Sequence, residues 1–216
     1  MKLSLANLPY RILLTSLAVL GLSGTTLAQN RQLSYTPPPS AGCSLTLAQA
    51  PELWGFRLRM TAEQVRARFP GIVMKPADSL GVIELDDVLP AVHSAPNRSD
   101  RWRAQGLFKL RLLFIDEQLA YIGGNYGVAT QWANQDDFIS SLSKSLGLPN
   151  AWYLKDQTDV VKLLKCDGFM MFAYSSPLAA VGMGDSQAFD KVDKREAAID
   201  EADKKKGRKR LDYVYY

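Results

Sequence analysis

The chain has 216 residues, 47% hydrophobic and 22% charged, which is ordinary for a globular protein and supplies one good core or two small ones. Its net charge of +4 is local: residues 29–203 hold 18 basic and 21 acidic side chains, while KKKGRKR at 204–210 adds six basic ones. The body is therefore slightly acidic, so the basic pI does not argue for a nucleic-acid-binding surface on the fold, and no nucleic-acid partner is expected.

Residues 1–28 read as a secretory signal peptide. Lys2 and Arg11 supply the positive region, 12–22 is an apolar run, and Thr26-Leu27-Ala28 offers small residues for cleavage before Gln29. The run is shorter than the ~20 apolar residues of a spanning helix, so a membrane anchor fits less well. A lipoprotein site at Ser40-Ala41-Gly42-Cys43 would lie too far beyond that run. Export means a secreted or periplasmic product, expected to be soluble. In such a compartment the only two cysteines, Cys43 and Cys166, are expected to form one disulfide. A loop this long is worth about 4–5 kcal/mol before strain in the chain-entropy account. Two buried free thiols are the alternative. Residues 29–42, with Pro37-Pro38-Pro39, read as an extended linker. A domain then occupies 43–184, followed by a charged helix and basic tail over 185–216.

Residues 54–58 predict a short strand or extended entry to the first helix. Thr61 and Gln64 make a capping box there, with Met60 and Val65 placed as a hydrophobic staple. Glu63 near the start and Arg66 and Arg68 near the end complement the helix dipole. Val65 and Phe69 share the buried stripe, and Pro70-Gly71 ends it. Residues 80–89 predict a strand. A polar loop then spans 90–106, holding the only histidine, His93, and three arginines around Trp102. Loops of that length inside a domain are usually functional or disordered.

Residues 107–128 predict the principal hairpin. Phe108, Leu110, Leu112 and Phe114 alternate onto one face, and Asp116-Glu117-Gln118 turns the chain. On the return, Leu119 and Tyr121 share one face and Ala120 and Ile122 the other. These strands belong at the centre of the sheet, and Gly123-Gly124 reads as a bulge or bend. Over 134–147 a second helix is predicted, capped by Asn134 or Asp136 and stopped by Gly147, with Phe138, Ile139, Leu142 and Leu146 buried. Asp167-Gly168 between apolar runs predicts a tight hairpin that pairs Cys166 with Phe169 and Leu164 with Met171. A last strand over 178–183 precedes a peripheral helix to about Lys205, with Phe189, Val192, Glu196 and Ile199 on one narrow stripe. The fold class is α+β: an antiparallel sheet built from hairpins, two short helices packed on it and a charged C-terminal helix. A capped helix precedes strands and hairpin twice, without a residue-level repeat.

The catalytic inventory is thin. A lone His93 in a polar loop offers no nucleophile–base pair, and one His with two distant Cys makes no zinc site. No metal or cofactor is expected. Asp116-Glu117 and Asp136-Asp137 are explained by a turn and a helix start. Asp86-Asp87 lacks such an explanation and is the one carboxylate pair with the form of an acid–base site. Gly123-Gly124-Asn125-Tyr126-Gly127 lacks the Lys-Ser/Thr of a phosphate loop. Arg98, Arg101, Trp102 and Arg103 are the expected binding residues, since Arg and Trp are enriched at recognition hot spots.

From Leu58-Arg59-Met60-Thr61-Ala62-Glu63-Gln64-Val65 to Phe69-Pro70-Gly71, the chain resembles small exported domains of the β-lactamase-inhibitor-protein-like and SmpA/OmlA-like kinds. Their first helix opens with a Gly-Met-Thr-like cap, places Val one turn in and ends near a Gly. Here Arg59 stands in place of that Gly, and Pro70 intrudes before Gly71. The likeness covers about fourteen residues. It implies helices packed on an antiparallel sheet and protein binding at the cell envelope, and it carries no catalytic residue over. The expected function is thus an exported, non-enzymatic binding module for a protein partner at the bacterial envelope. The alternatives are an enzyme using Asp86 and Asp87 with the 97–103 loop, and a structural domain tethered to anionic surfaces through residues 204–210.

Overall fold

The computed structural model describes residues 42–97, 106–127, 132–154, 161–174 and 178–205. Among them are seven strands: β1 (Val82–Leu85), β2 (Leu107–Ile115), β3 (Gln118–Tyr126), β4 (Tyr153–Leu154), β5 (Lys162–Lys165), β6 (Phe169–Tyr174) and β7 (Ala180–Asp185). They form one antiparallel sheet in the order β1-β2-β3-β7-β6-β5-β4. Two meanders thus meet where β3 pairs with β7, Ile122 opposite Met183 and Gly124 opposite Val181. Among the described residues four α-helices accompany the sheet: α1 (Ala62–Arg68), α2 (Leu89–His93), α3 (Gln135–Leu146) and α4 (Ser186–Lys205). The class is α+β, as the hairpin pattern predicts.

Local chemistry sets the element ends. Thr61 Oγ1 accepts from Gln64 N at 3.2 Å, and Gln64 Oε1 accepts from Thr61 N at 2.9 Å, closing the capping box of α1. Asn134 caps α3 by accepting from Asp137 N at 3.0 Å. Gly147 ends it with φ +65, a left-handed conformation that a Cβ would strain. Asp116 and Glu117 alone turn the β2–β3 hairpin, both at positive φ. The second hairpin pairs Leu164 with Met171, and Cys166 N donates to Phe169 O. Cys43 and Cys166 are disulfide-bonded, which fastens the start of the described chain to the end of β5.

Several expectations are corrected. Residues 53–56 form a tight turn, not a strand: Leu53 and Phe56 exchange backbone hydrogen bonds across Trp54 (φ +51) and Gly55 (φ +90). The supposed loop 90–106 opens with α2, because Leu89 and Val92 bury against the core and Pro90 fits a first helical turn. Two bulges interrupt the main hairpin. Phe108 is an extra residue in β2 and is 51% exposed, so it leaves the apolar face assigned to it. Ala120 is an extra residue in β3, so Leu119 joins Ile122 in the core while Tyr121 faces the other way. Gly123 and Gly124 hold regular register against Gly182 and Val181, with no bulge. The last strand ends two residues later than predicted, at Asp185.

One side of the sheet carries the core. Leu110, Leu112, Phe114, Leu119, Ile122, Met171, Val181 and Met183 pack there under α1, α3 and the 53–58 segment, with Phe56 stacked on Phe69. No helix among the described residues is long and apolar enough to cross a membrane.

Candidate functional site

The other side of the sheet is only partly covered, and glycine explains its form. Gly123 and Gly182 face each other across β3 and β7, and Gly184 follows on the same face. A Cβ on Gly123 would lie 2.2 Å from the Tyr121 Oη, one on Gly182 2.4 Å from the Phe172 ring, and one on Gly184 2.7 Å from the Phe189 ring. Three aromatic rings therefore rest directly on a backbone floor. Tyr121 and Phe172 stack with centroids 6.1 Å apart and planes 16° from parallel. Phe189, from α4, meets Tyr121 edge-on at 6.5 Å.

Helix α4 starts without a linker. Asp185, the last residue of β7, is 3% exposed, and its Oδ1 accepts from Gln187 N and Ala188 N. Its Oδ2 accepts from Arg59 Nε at 2.9 Å. Ten residues on, Arg195 fastens the helix over the β1–β2 side by donating to Leu80 O at 2.6 Å and to Asp116 Oδ2 at 2.8 Å. Between α4 and β1–β2–β3 lies a groove of about 750 Å³. Val82, Leu113, Ile115 and Tyr121 form its floor, and Phe189 and Val192 its wall.

Charge rims this apolar floor. Asp78, Glu84, Asp86, Asp193 and Glu196 line the groove against only Lys75 and Arg111, which leaves it net acidic. Arg111 donates to Glu84 through Nη2, and its Nε lies 3.4 Å from Asp86 Oδ1 without making a hydrogen bond. Burial pushes the Tyr121 phenol up to about 12, with the neighbouring Arg111 pulling the other way, so the hydroxyl stays protonated at neutral pH.

A second cleft, about 680 Å³, opens toward α1 and α3. Its base is Trp54, which covers Gly124, and Tyr126, whose ring lies 6.2 Å from the indole. Its cations are committed. Glu52 accepts from Arg57 Nε at 3.1 Å and from both terminal nitrogens of Arg68 at 3.2 Å. That cleft reads as structural, a carboxylate holding one arginine before α1 and one at its end.

Of the sequence candidates, Arg98, Arg101, Trp102 and Arg103 lie outside the described residues. Asp86 sits on the groove rim beside Arg111 and 3.9 Å from Lys109 Nζ, whereas Asp87 does not line the groove and instead bridges to Leu110 in the backbone. The two carboxylates are thus separated. His93 is exposed at the end of α2. Among the described residues no group of three or more His, Cys, Asp or Glu side chains is placed to hold a metal ion. Sequence reasoning missed the aromatic floor. Its signal was Gly182-Met183-Gly184, glycines at period two in a strand, which strip one face and leave the other apolar.

No protein-family model, no curated protein and no solved structure matches this chain.

Proposed function

We propose that this protein is an exported, non-enzymatic binding module that holds a segment of a protein partner in the groove between α4 and the uncovered sheet face. The observation that carries the reading is the pairing of an aromatic floor on glycines with a net acidic rim. An apolar floor binds side chains by burial, while surplus carboxylates select for cationic neighbours. The segment that fits is therefore rich in aromatic and cationic residues. Export is supported by the character of residues 1–28 and by the Cys43–Cys166 disulfide, a bond that persists in oxidising compartments. The resemblance to envelope binding domains gains support from Arg59, whose φ of +66 is the backbone state that favours glycine, the residue of the related cap.

Selection of a random peptide library on immobilised protein tests this reading. Enriched peptides should combine Lys or Arg with Phe, Tyr or Trp, and Leu113→Glu, which puts a charge on the groove floor, should abolish their capture. Enrichment of acidic peptides, or capture unaffected by Leu113→Glu in a protein that still unfolds cooperatively, would overturn it.

A further inference from the structure

We propose that residues 206–216 of this same chain fold back and occupy the groove, so that the protein carries its own competitor. The inference rests on the reading of the groove as a peptide site. Three observations select this occupant.

The first is charge. Residues 206–216, KGRKRLDYVYY, carry Lys206, Arg208, Lys209 and Arg210 against one acid, Asp212, a net of +3. The groove carries five carboxylates against two cations, a net of −3. Opposite fields at short range steer the segment to this surface and fall off within a Debye length of about 8 Å at physiological salt.

The second is side-chain spacing. In an extended segment Tyr213 and Tyr215 point the same way, about 6.6–7 Å apart. The rings lining the groove, two from the sheet and one from α4, lie at a similar interval, Tyr121 being 6.1 Å from Phe172 and 6.5 Å from Phe189. Two tyrosines at that stride meet two neighbouring aromatic positions at once, in the offset or edge-on arrangements that rings prefer.

The third is reach. Glu196 is the last residue of α4 on the groove, and Lys205, the last described residue, lies nine residues on, about 14 Å further along the axis. Eleven extended residues span up to about 36 Å, more than twice that distance. Gly207 stands two residues beyond Lys205 in the sequence, and a chain reversal there would need a residue free of Cβ strain. A linker this short holds the segment at an effective concentration in the millimolar range, so even weak intrinsic affinity fills the groove.

The test compares the mature chain 29–216 with a full-length variant, Tyr213→Ser/Tyr215→Ser/Tyr216→Ser. Synthetic KGRKRLDYVYY is titrated into each, read by backbone amide shifts at Leu113, Tyr121 and Val192. Saturable shifts at these positions in the variant are expected, weakening at least tenfold from 50 to 500 mM salt. In the wild-type chain the peptide's apparent affinity is expected to be at least tenfold lower, because the groove is already filled. Equal affinity for both proteins would overturn the inference. So would a wild-type chain that sediments as a concentration-dependent dimer while the variant stays monomeric, since the segment then serves a second copy. If KGRKRLDYVYY fails to bind the variant while library-selected cationic aromatic peptides still shift Leu113 and Val192, the self-occupancy inference falls and the groove reading stands. If neither binds, the groove reading itself falls.

Discussion

Gly124 lacks a side chain because Trp54 fills the space: an added Cβ would lie 2.4 Å from the indole. Both neighbours are held, since Gly124 is paired to Leu110 and Val181 and Trp54 is locked in a turn. Gly124→Ala should therefore cost about 1–3 kcal/mol, the usual penalty of overpacking, seen as a lower urea midpoint at unchanged m and a shifted Trp emission. On the open face, Tyr121 provides a titration signature. Its phenol holds its proton up to about 12 in the folded protein against 10.0 normally. A raised folded pKa leaves stability untouched below the unfolded value and removes it as pH climbs between the two. Stability should be flat to about pH 10 and decline toward 12. Tyr126 is raised in the same direction by burial, so Tyr121→Phe should reduce that decline without abolishing it. An unchanged alkaline limb in Tyr121→Phe would show that another group controls it.

Asp185 joins three elements, ending β7, capping α4 and pairing with Arg59 at the entry to α1. Asp185→Ala removes the cap and leaves Arg59 without its carboxylate, a loss of about 1–3 kcal/mol. Amide exchange at Gln187 and Ala188 should rise first. Arg195→Ala should instead loosen the second half of α4, with faster exchange beyond Val192 and little change in global stability. At this scale the sequence was legible wherever a signal is local. Thr61 with Gln64, Asn134 with Gly147, and Asp167-Gly168 each fix an end or a turn through neighbours in the chain. Faces were not legible once packing intervened. Strict alternation joins Tyr121 to Leu119, and one extra residue, Ala120, separates them. That bulge turns Tyr121 out of the core and creates the aromatic floor, so the candidate site was hidden by the same displacement that builds it. The groove also depends on α4 crossing back over the sheet, a long-range contact that Arg195 and Asp116 make 79 residues apart. Asp86 was legible as unexplained, but its partners Arg111 and Lys109 come from a different strand.

For the whole molecule, the described chain is one sheet with a full side and a spare side. The full side is tied at its margin by Cys43–Cys166, which lie 123 positions apart in the sequence. Replacing both by Ser should cost about 2–5 kcal/mol in chemical denaturation while leaving the groove's chemistry in place. On the spare side Met170 is 39% exposed beyond the groove and Tyr174 is half-buried. Under the proposed function, a partner there would gain from burial and from charge together. The most direct measurement is a hydrogen-exchange footprint of the Tyr213→Ser/Tyr215→Ser/Tyr216→Ser variant, in which the groove is free of the chain's own end, with and without a library-selected cationic aromatic peptide. Protection over 111–115, 121–123 and 189–196 is the predicted result. Protection confined to Trp54, Tyr126 and the α3 face, with those segments unchanged, would contradict the assignment of function to the uncovered side of the sheet.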